Sequence, residues 1–215
     1  MPITRLYLVR HGETLANREY RYIGTRDDPL SAHGQTQALQ LAEALSGLPI
    51  TAVYSSPLQR TYYTALPIAA SHSLEVQRVD ELRECNFGTW EGLSRAEVLE
   101  RSPEDSQRLR EWEHNTSIAP PGGESFEALQ QRVLTAVERV SQAHPDQAIV
   151  LVSHVGPIKV LLSAALGAPL SSAFRIFLDP ATISVVDWRD AAYATVRLVN
   201  SHAHLGWQEA RWMKK

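Results

Sequence analysis

The chain has 215 residues, of which 44% are hydrophobic and 21% charged, and a formal net charge of −3. That balance suits a globular protein with a sizeable core and, with no long basic run, argues against nucleic-acid binding. A single cysteine, Cys85, excludes an internal disulfide; no Cys/His spacing matches a zinc site, and no apolar run reaches the roughly 18 residues of a membrane span. With no signal-peptide pattern at the start, the expectation is a cytoplasmic protein without a membrane or nucleic-acid partner.

In chain order, Ile3 to Val9 reads as a buried strand that stops at Arg10-His11-Gly12-Glu13-Thr14. Leu15 to Pro29 is polar and aromatic, with Gly24 and Asp27-Asp28-Pro29 as turn signals, and is expected as a long loop. Ser31 caps a helix to about Ser46, with Leu39, Leu41, Ala42 and Leu45 as its apolar stripe and Gly47 and Pro49 ending it. A second strand, Ile50 to Tyr54, stops at Ser55-Ser56-Pro57. Pro57 then opens a helix to about Ala70, which carries Arg60 on its first turn. Glu75 to Val79 is a third strand candidate, and Asp80 to Gly92 an ordered loop rich in glutamate, glycine and aromatics.

Ser94 to Glu100 and Glu104 to His114 read as short amphipathic helices separated by Pro103. Pro120-Pro121-Gly122-Gly123 is the strongest breaker, either a domain linker or a surface loop. The flanking halves do not look independently complete, which favours the loop and a single domain over 1–215. Ser125 caps a helix to about Ala143 with Leu129, Val133, Val137 and Val140 on one face. Ala148 to Val152 is a strand ending in Ser153-His154-Val155-Gly156, followed by a helix from about Pro157 to Leu166. Ile183 to Trp188 and Ala194 to Val199 form a hairpin around Arg189-Asp190, and the tail from Ser201 carries His202, His204, Trp207 and Trp212, its histidines read as surface residues rather than metal ligands. Alternating strands and helices imply an α/β fold, a three-layer α/β/α sandwich whose mainly parallel sheet is made mixed by the terminal hairpin.

Two strands thus end alike, each with a histidine shortly before a glycine: His11 and His154. If the strands are neighbours, the imidazoles meet at one sheet edge, where ligands collect in open α/β sheets. Arg10, Arg60 at the helix start and Glu84 in the loop after the third strand belong on the same edge. Two guanidiniums suit a dianionic phosphoryl group. A neutral imidazole with its second nitrogen held by a carbonyl or carboxylate is a nucleophile toward phosphorus. The second imidazole adds charge to the transferring oxygens, and a carboxylic acid with a raised pKa protonates the leaving oxygen. No cofactor or metal is called for.

These segments resemble the histidine phosphatase superfamily, the phosphoglycerate mutase-like proteins, over nearly the whole chain. The resemblance rests on Arg10-His11-Gly12-Glu13-Thr14 with Asn17, on Ser55-Ser56-Pro57-Leu58-Gln59-Arg60-Thr61 with Thr64-Ala65, and on Leu82-Arg83-Glu84 through Phe87-Gly88-Thr89-Trp90-Glu91-Gly92. Pro121-Gly122-Gly123-Glu124-Ser125 and Val152-Ser153-His154 complete it. It implies a phosphoglycerate mutase-like fold with His11 as the phosphorylated residue, Glu84 as the acid and base, and Arg10, Arg60 and His154 around the phosphoryl group. Asn17, Gly24 and Val155 are expected to join Arg10, Arg60 and His154 in binding substrate. Thr61 and Val155 depart from the family's usual alanine and glycine.

Three readings stay open on the sequence. One is a metal-independent phosphatase of small phosphomonoesters, closest to the broad-specificity and α-ribazole phosphatases. The second is a cofactor-dependent phosphoglycerate mutase, and the third a non-catalytic phosphoester-binding module. Mutases of the family are longer and carry extra basic residues after the acid/base loop, whereas Leu93 to Thr116 is short and mixed in charge, which favours the phosphatase. Tyr20, Tyr22 and Ile23 are candidates for contact with the substrate's organic part, and Trp112 for the core or the pocket mouth. A small-molecule ester is the expected partner, with a homodimer the one protein association considered.

Overall fold

The computed structural model describes residues 2 to 206 and residue 210. Six strands form one sheet in the order β3-β2-β4-β1-β5-β6: β1 Thr4–Arg10, β2 Ile50–Ser55, β3 Val76–Arg78, β4 Ala148–Ser153, β5 Ile183–Trp188 and β6 Thr195–Ser201. β3, β2, β4 and β1 run parallel; β5 is antiparallel to β1 and β6 antiparallel to β5. β4 therefore inserts between β2 and β1, and the carboxyl ends of all three open on one edge. The register sets Arg10 beside Ser153 and Val9 beside Val152, so the two histidines that follow emerge side by side.

Alternation along the central strands divides the core. Leu6 and Leu8 of β1 join Ile149 and Leu151 of β4 on one face, under helices α6 (Phe126–Gln142) and α7 (Val155–Ala165). Val9, Val150 and Val152 pack on the other, against α2 (Ala32–Leu45) and α3 (Gln59–Ser71). The expected three layers are present.

Several local expectations change. Leu15–Arg18 is a turn of helix, α1, inside the expected loop. It is stabilised because the Thr14 hydroxyl accepts from the Asn17 N–H while the Asn17 side chain accepts from the Thr14 N–H. Leu39 is 64% exposed; Ala38 takes its expected place on the buried stripe with Leu41 and Leu45. Pro57 precedes α3 rather than opening it, and Leu58 is the cap. Pro103 does not merely separate two helices: Ser102 closes α4 (Arg95–Arg101) and caps α5 (Pro103–Trp112), with Pro103 in its first turn. Of the histidines expected at the surface, His202 is internal and His204 is half-buried. His202 is 2% exposed and its Nε2 lies 2.8 Å from a carboxylate oxygen of Asp179, while the His204 ring donates to the Ala181 carbonyl at 2.8 Å. Trp207 and Trp212 lie outside the described residues.

The Pro-Gly stretch packs on the acidic loop. Thr89 donates to the Pro121 carbonyl, and Glu124 donates to the Asn86 carbonyl. Gly88, at φ +54°, leaves no room for a Cβ against Pro121 to Gly123, which explains glycine there.

Candidate active site

A pocket of about 330 Å³ opens at the carboxyl ends of β1, β2 and β4. Arg10, His11, Asn17, Gly24, Arg60, Glu84 and Val155 all line it. Of the catalytic and phosphate-binding residues expected there, His154 is the one absent from the wall; it is wholly buried behind His11, with ring centroids 5.2 Å apart in an edge-on contact.

Each group is held by backbone geometry. His11 directly follows β1, and its Nδ1 lies 2.7 Å from the Gly12 carbonyl oxygen, to which it donates. The lone pair is thereby left on Nε2. Gly12 cannot carry a side chain, because a Cβ would come within 2.5 Å of the Gly34 carbonyl on α2. Burial first, then the neighbouring Arg60 and Arg10, hold the His11 imidazole well below its usual 6.5. It is therefore neutral in ordinary conditions. His154 is pushed down in the same way by burial and by Arg60. Its Nδ1 accepts from Arg60 Nε at 3.2 Å, so Nε2 carries the hydrogen and donates to Ser56 Oγ at 2.8 Å.

The two guanidiniums are built in differently. Arg10 donates to the Leu178 carbonyl at 2.6 Å. Arg60 is fully buried and donates to the carbonyls of Gly24 at 2.7 Å and Arg26 at 2.6 Å, as well as to His154. Gly24 thus serves through its carbonyl. Its φ of +59° and the Glu91 carboxylate pressed against it exclude a side chain. Glu91 also accepts from the Thr25 N–H at 2.7 Å, tying the loop after α1 to the acidic loop. The Thr61 departure has a local cause: its buried hydroxyl lies 2.7 Å from the Leu58 carbonyl and 3.0 Å from that of Ser56, closing the turn that leads into α3.

Glu84 is 5% exposed and receives N–H bonds from Cys85 at 2.8 Å and from Gly156, at the start of α7, at 3.0 Å. A Cβ on Gly156 would strike the Glu84 carboxyl, so this glycine lets the acid approach the helix end. Burial raises Glu84 above the usual carboxylate value of 4.5, while the two N–H donors, Arg60 and Arg10 pull the other way.

Three features escaped the sequence reading. Arg132 on α6 donates to the carbonyls of Glu81, Arg83 and Glu84 and pairs with Glu124 at 2.7 Å, so it holds the backbone that presents the acid. Lys159 on α7 lines the pocket. It was visible as the lone charge in Val155 to Ala165. The remaining wall is aromatic: Trp112 packs on Tyr22, Phe87, Phe126 and Phe174 with ring centroids 5.8 to 6.0 Å apart. Trp112 is therefore both core anchor and pocket wall. Tyr22 and Ile23 line the pocket as expected, whereas Tyr20 is 71% exposed and outside it. Among the described residues, no group of three His, Cys, Asp or Glu could hold a metal, and no helix is long and apolar enough to cross a membrane.

A mixed sheet presents paired histidines, two arginines and a buried glutamate at its carboxyl edge, the groups that phosphoryl transfer calls for. The model of the histidine phosphatase superfamily, branch 1, matches residues 6–201. The chain belongs to this superfamily. Phosphoserine phosphatase 1 of Hydrogenobacter thermophilus is 39% identical over 204 residues, 95% of each chain. The adenosylcobalamin/α-ribazole phosphatase of Escherichia coli is 34% identical over 93% of this chain and 97% of its own. A bifunctional protein of Mycobacterium tuberculosis is 41% identical over 94% of this chain, which spans 55% of that relative's length. Among solved structures, a mycobacterial glucosyl-3-phosphoglycerate phosphatase superposes with a TM-score of 0.83 at 30% identity, over 93% of this chain and 99% of that one.

Proposed function

We propose that the chain hydrolyses small phosphomonoesters through a covalent phosphohistidine on His11, without a metal. The observation that carries this is the locked, neutral His11 ring: Nδ1 is committed to Gly12, so Nε2 is the nucleophile. In the first step Nε2 bonds to phosphorus as the ester P–O bond breaks, and the leaving oxygen takes the Glu84 proton. In the second, Glu84 takes a proton from water, the water oxygen bonds to phosphorus and the N–P bond breaks. Phosphate departs and Glu84 is protonated again. Arg10 and Arg60 bear the phosphoryl charge, with the Asn17 amide and the α7 start at Val155 beside them. His154 acts from behind His11 as a neutral ring that keeps Arg60 aimed; it meets the phosphoryl oxygens only if its bond to Ser56 is exchanged.

Hydrolysis is favoured over mutase chemistry by the segment after the acidic loop. Arg95 is paired with Glu113 and Arg101 with Asp105, and none of Arg95, Arg101, Arg108 and Arg110 lines the pocket. The names of the phosphatase relatives point the same way. The wild-type chain should release phosphate from p-nitrophenyl phosphate in the presence of a chelator, and H11A should lose at least about a thousandfold in kcat. Retained turnover in H11A overturns the covalent route. α-Ribazole phosphate, and 3-phosphoglycerate with and without 2,3-bisphosphoglycerate, test the narrower alternatives.

A further inference from the structure

We propose that Lys159 sets substrate choice by binding a second anionic group, a carboxylate, on the organic part of the phosphomonoester. This rests on the hydrolase reading above and names the class of ester the site prefers.

Lys159 stands one helical turn beyond Val155 on α7 and lines the same pocket as His11 and Glu84. Helical side chains lean toward the helix N-terminus, which carries the lysine stem back toward the Gly156 end where Glu84 is bound. Its ammonium makes no hydrogen bond and no ion pair with any described residue. The other basic side chain in this part of the wall, Arg21, is already committed to Glu19, Glu97 and the Gly92 carbonyl. An ammonium lining a largely aromatic pocket with no ion pair of its own is poorly solvated. Burial, with Arg10 nearby, brings Lys159 down to about 8, and Glu84 only partly opposes this. An anionic ligand would supply the missing partner.

The place of that ligand follows from the helix. Gly156, three residues before Lys159 on α7, donates its N–H to Glu84 at 3.0 Å, and Lys159 lines the same pocket. Lys159 therefore sits on the side of the acid, where the leaving group lies, rather than behind the nucleophile. The phosphoryl group already has two guanidiniums and the start of α7. Trp112, Phe126 and Phe174 line the same pocket, and with Arg21 already committed, Lys159 is the basic side chain left there to meet a leaving group.

The test compares matched esters that differ in the carboxylate: O-phosphoserine against O-phosphoethanolamine, and 3-phosphoglycerate against glycerol 3-phosphate. Wild type should favour the acidic member of each pair by about tenfold or more in kcat/KM, the scale of one charge-assisted hydrogen bond. K159M should abolish that preference by raising KM for the acidic member far more than for its neutral partner, with little change in the ratio of kcat values. K159R should restore part of it. Equal losses on both members, no loss on either, or no preference in wild type would overturn the proposal. Wild-type inactivity on both pairs and on p-nitrophenyl phosphate would instead remove the hydrolase reading beneath it.

Discussion

Two groups at the residue scale have their ordinary proton affinities moved in opposite senses, and the pH dependence follows. In the proposed mechanism His11 must be neutral to attack, and its depressed pKa carries that form some way below pH 6.5. Glu84 must be protonated to help the leaving oxygen, and its raised pKa extends that form above pH 4.5. For alkyl phosphates, whose leaving groups need the proton, kcat/KM should fall as pH rises through the Glu84 pKa. For p-nitrophenyl phosphate that limb should flatten. E84Q should likewise slow alkyl esters by about a hundredfold and the aryl ester much less. A pH–rate series on both esters with wild type and E84Q checks this, and parallel losses would count against Glu84 as the acid. Gly156 belongs to the same logic: glycine is a poor helix former, and it is there because the carboxyl occupies the space of a Cβ.

Among the elements, α6 does more than cover the sheet. Its apolar face of Leu129, Val133 and Val137 was legible as a helical stripe, but the role of Arg132 was not. A single arginine on a helix carries no pattern, and its partners, Glu81 to Glu84 and Glu124, lie 8 to 51 positions away in sequence. R132M strips three carbonyls of a charged donor and leaves Glu124 unpaired, which should cost roughly 2–4 kcal/mol of stability. It should also lower kcat about tenfold with KM little changed, and more for alkyl than for aryl esters, since it acts through Glu84. Denaturant melts and kinetics on both ester classes measure the two effects. An equal loss on both would assign Arg132 to the fold alone. The connection between α3 and the acidic loop was similarly only half legible: Glu84 stood out by its company, whereas the bond from Ser153 Oγ to the Leu82 carbonyl that pins this loop to β4 needed the fold.

For the molecule as a whole, strand ends and helix starts were the informative positions. The repeated His-before-Gly pattern placed His11 and His154 together because β4 lies between β2 and β1, and parallel strands deliver their ends to one edge. What the sequence concealed is mostly what non-local packing decides. The orientation of His154 away from the pocket depends on Ser56 and Arg60, almost a hundred positions away in the segment after β2. The burial of His202 depends on Asp179 in the turn before β5. The aromatic wall is drawn from five separate stretches holding Tyr22, Phe87, Trp112, Phe126 and Phe174. The proposed chemistry turns on one nitrogen, His11 Nε2. The most direct test is to mix the enzyme with a ³²P-labelled phosphomonoester, quench in alkali within a turnover, and map the label. The account predicts an alkali-stable, acid-labile phosphoryl group on His11, formed at least as fast as kcat and absent from H11A. Label on any other residue, or multiple turnovers with no labelled protein at any quench time, would contradict it.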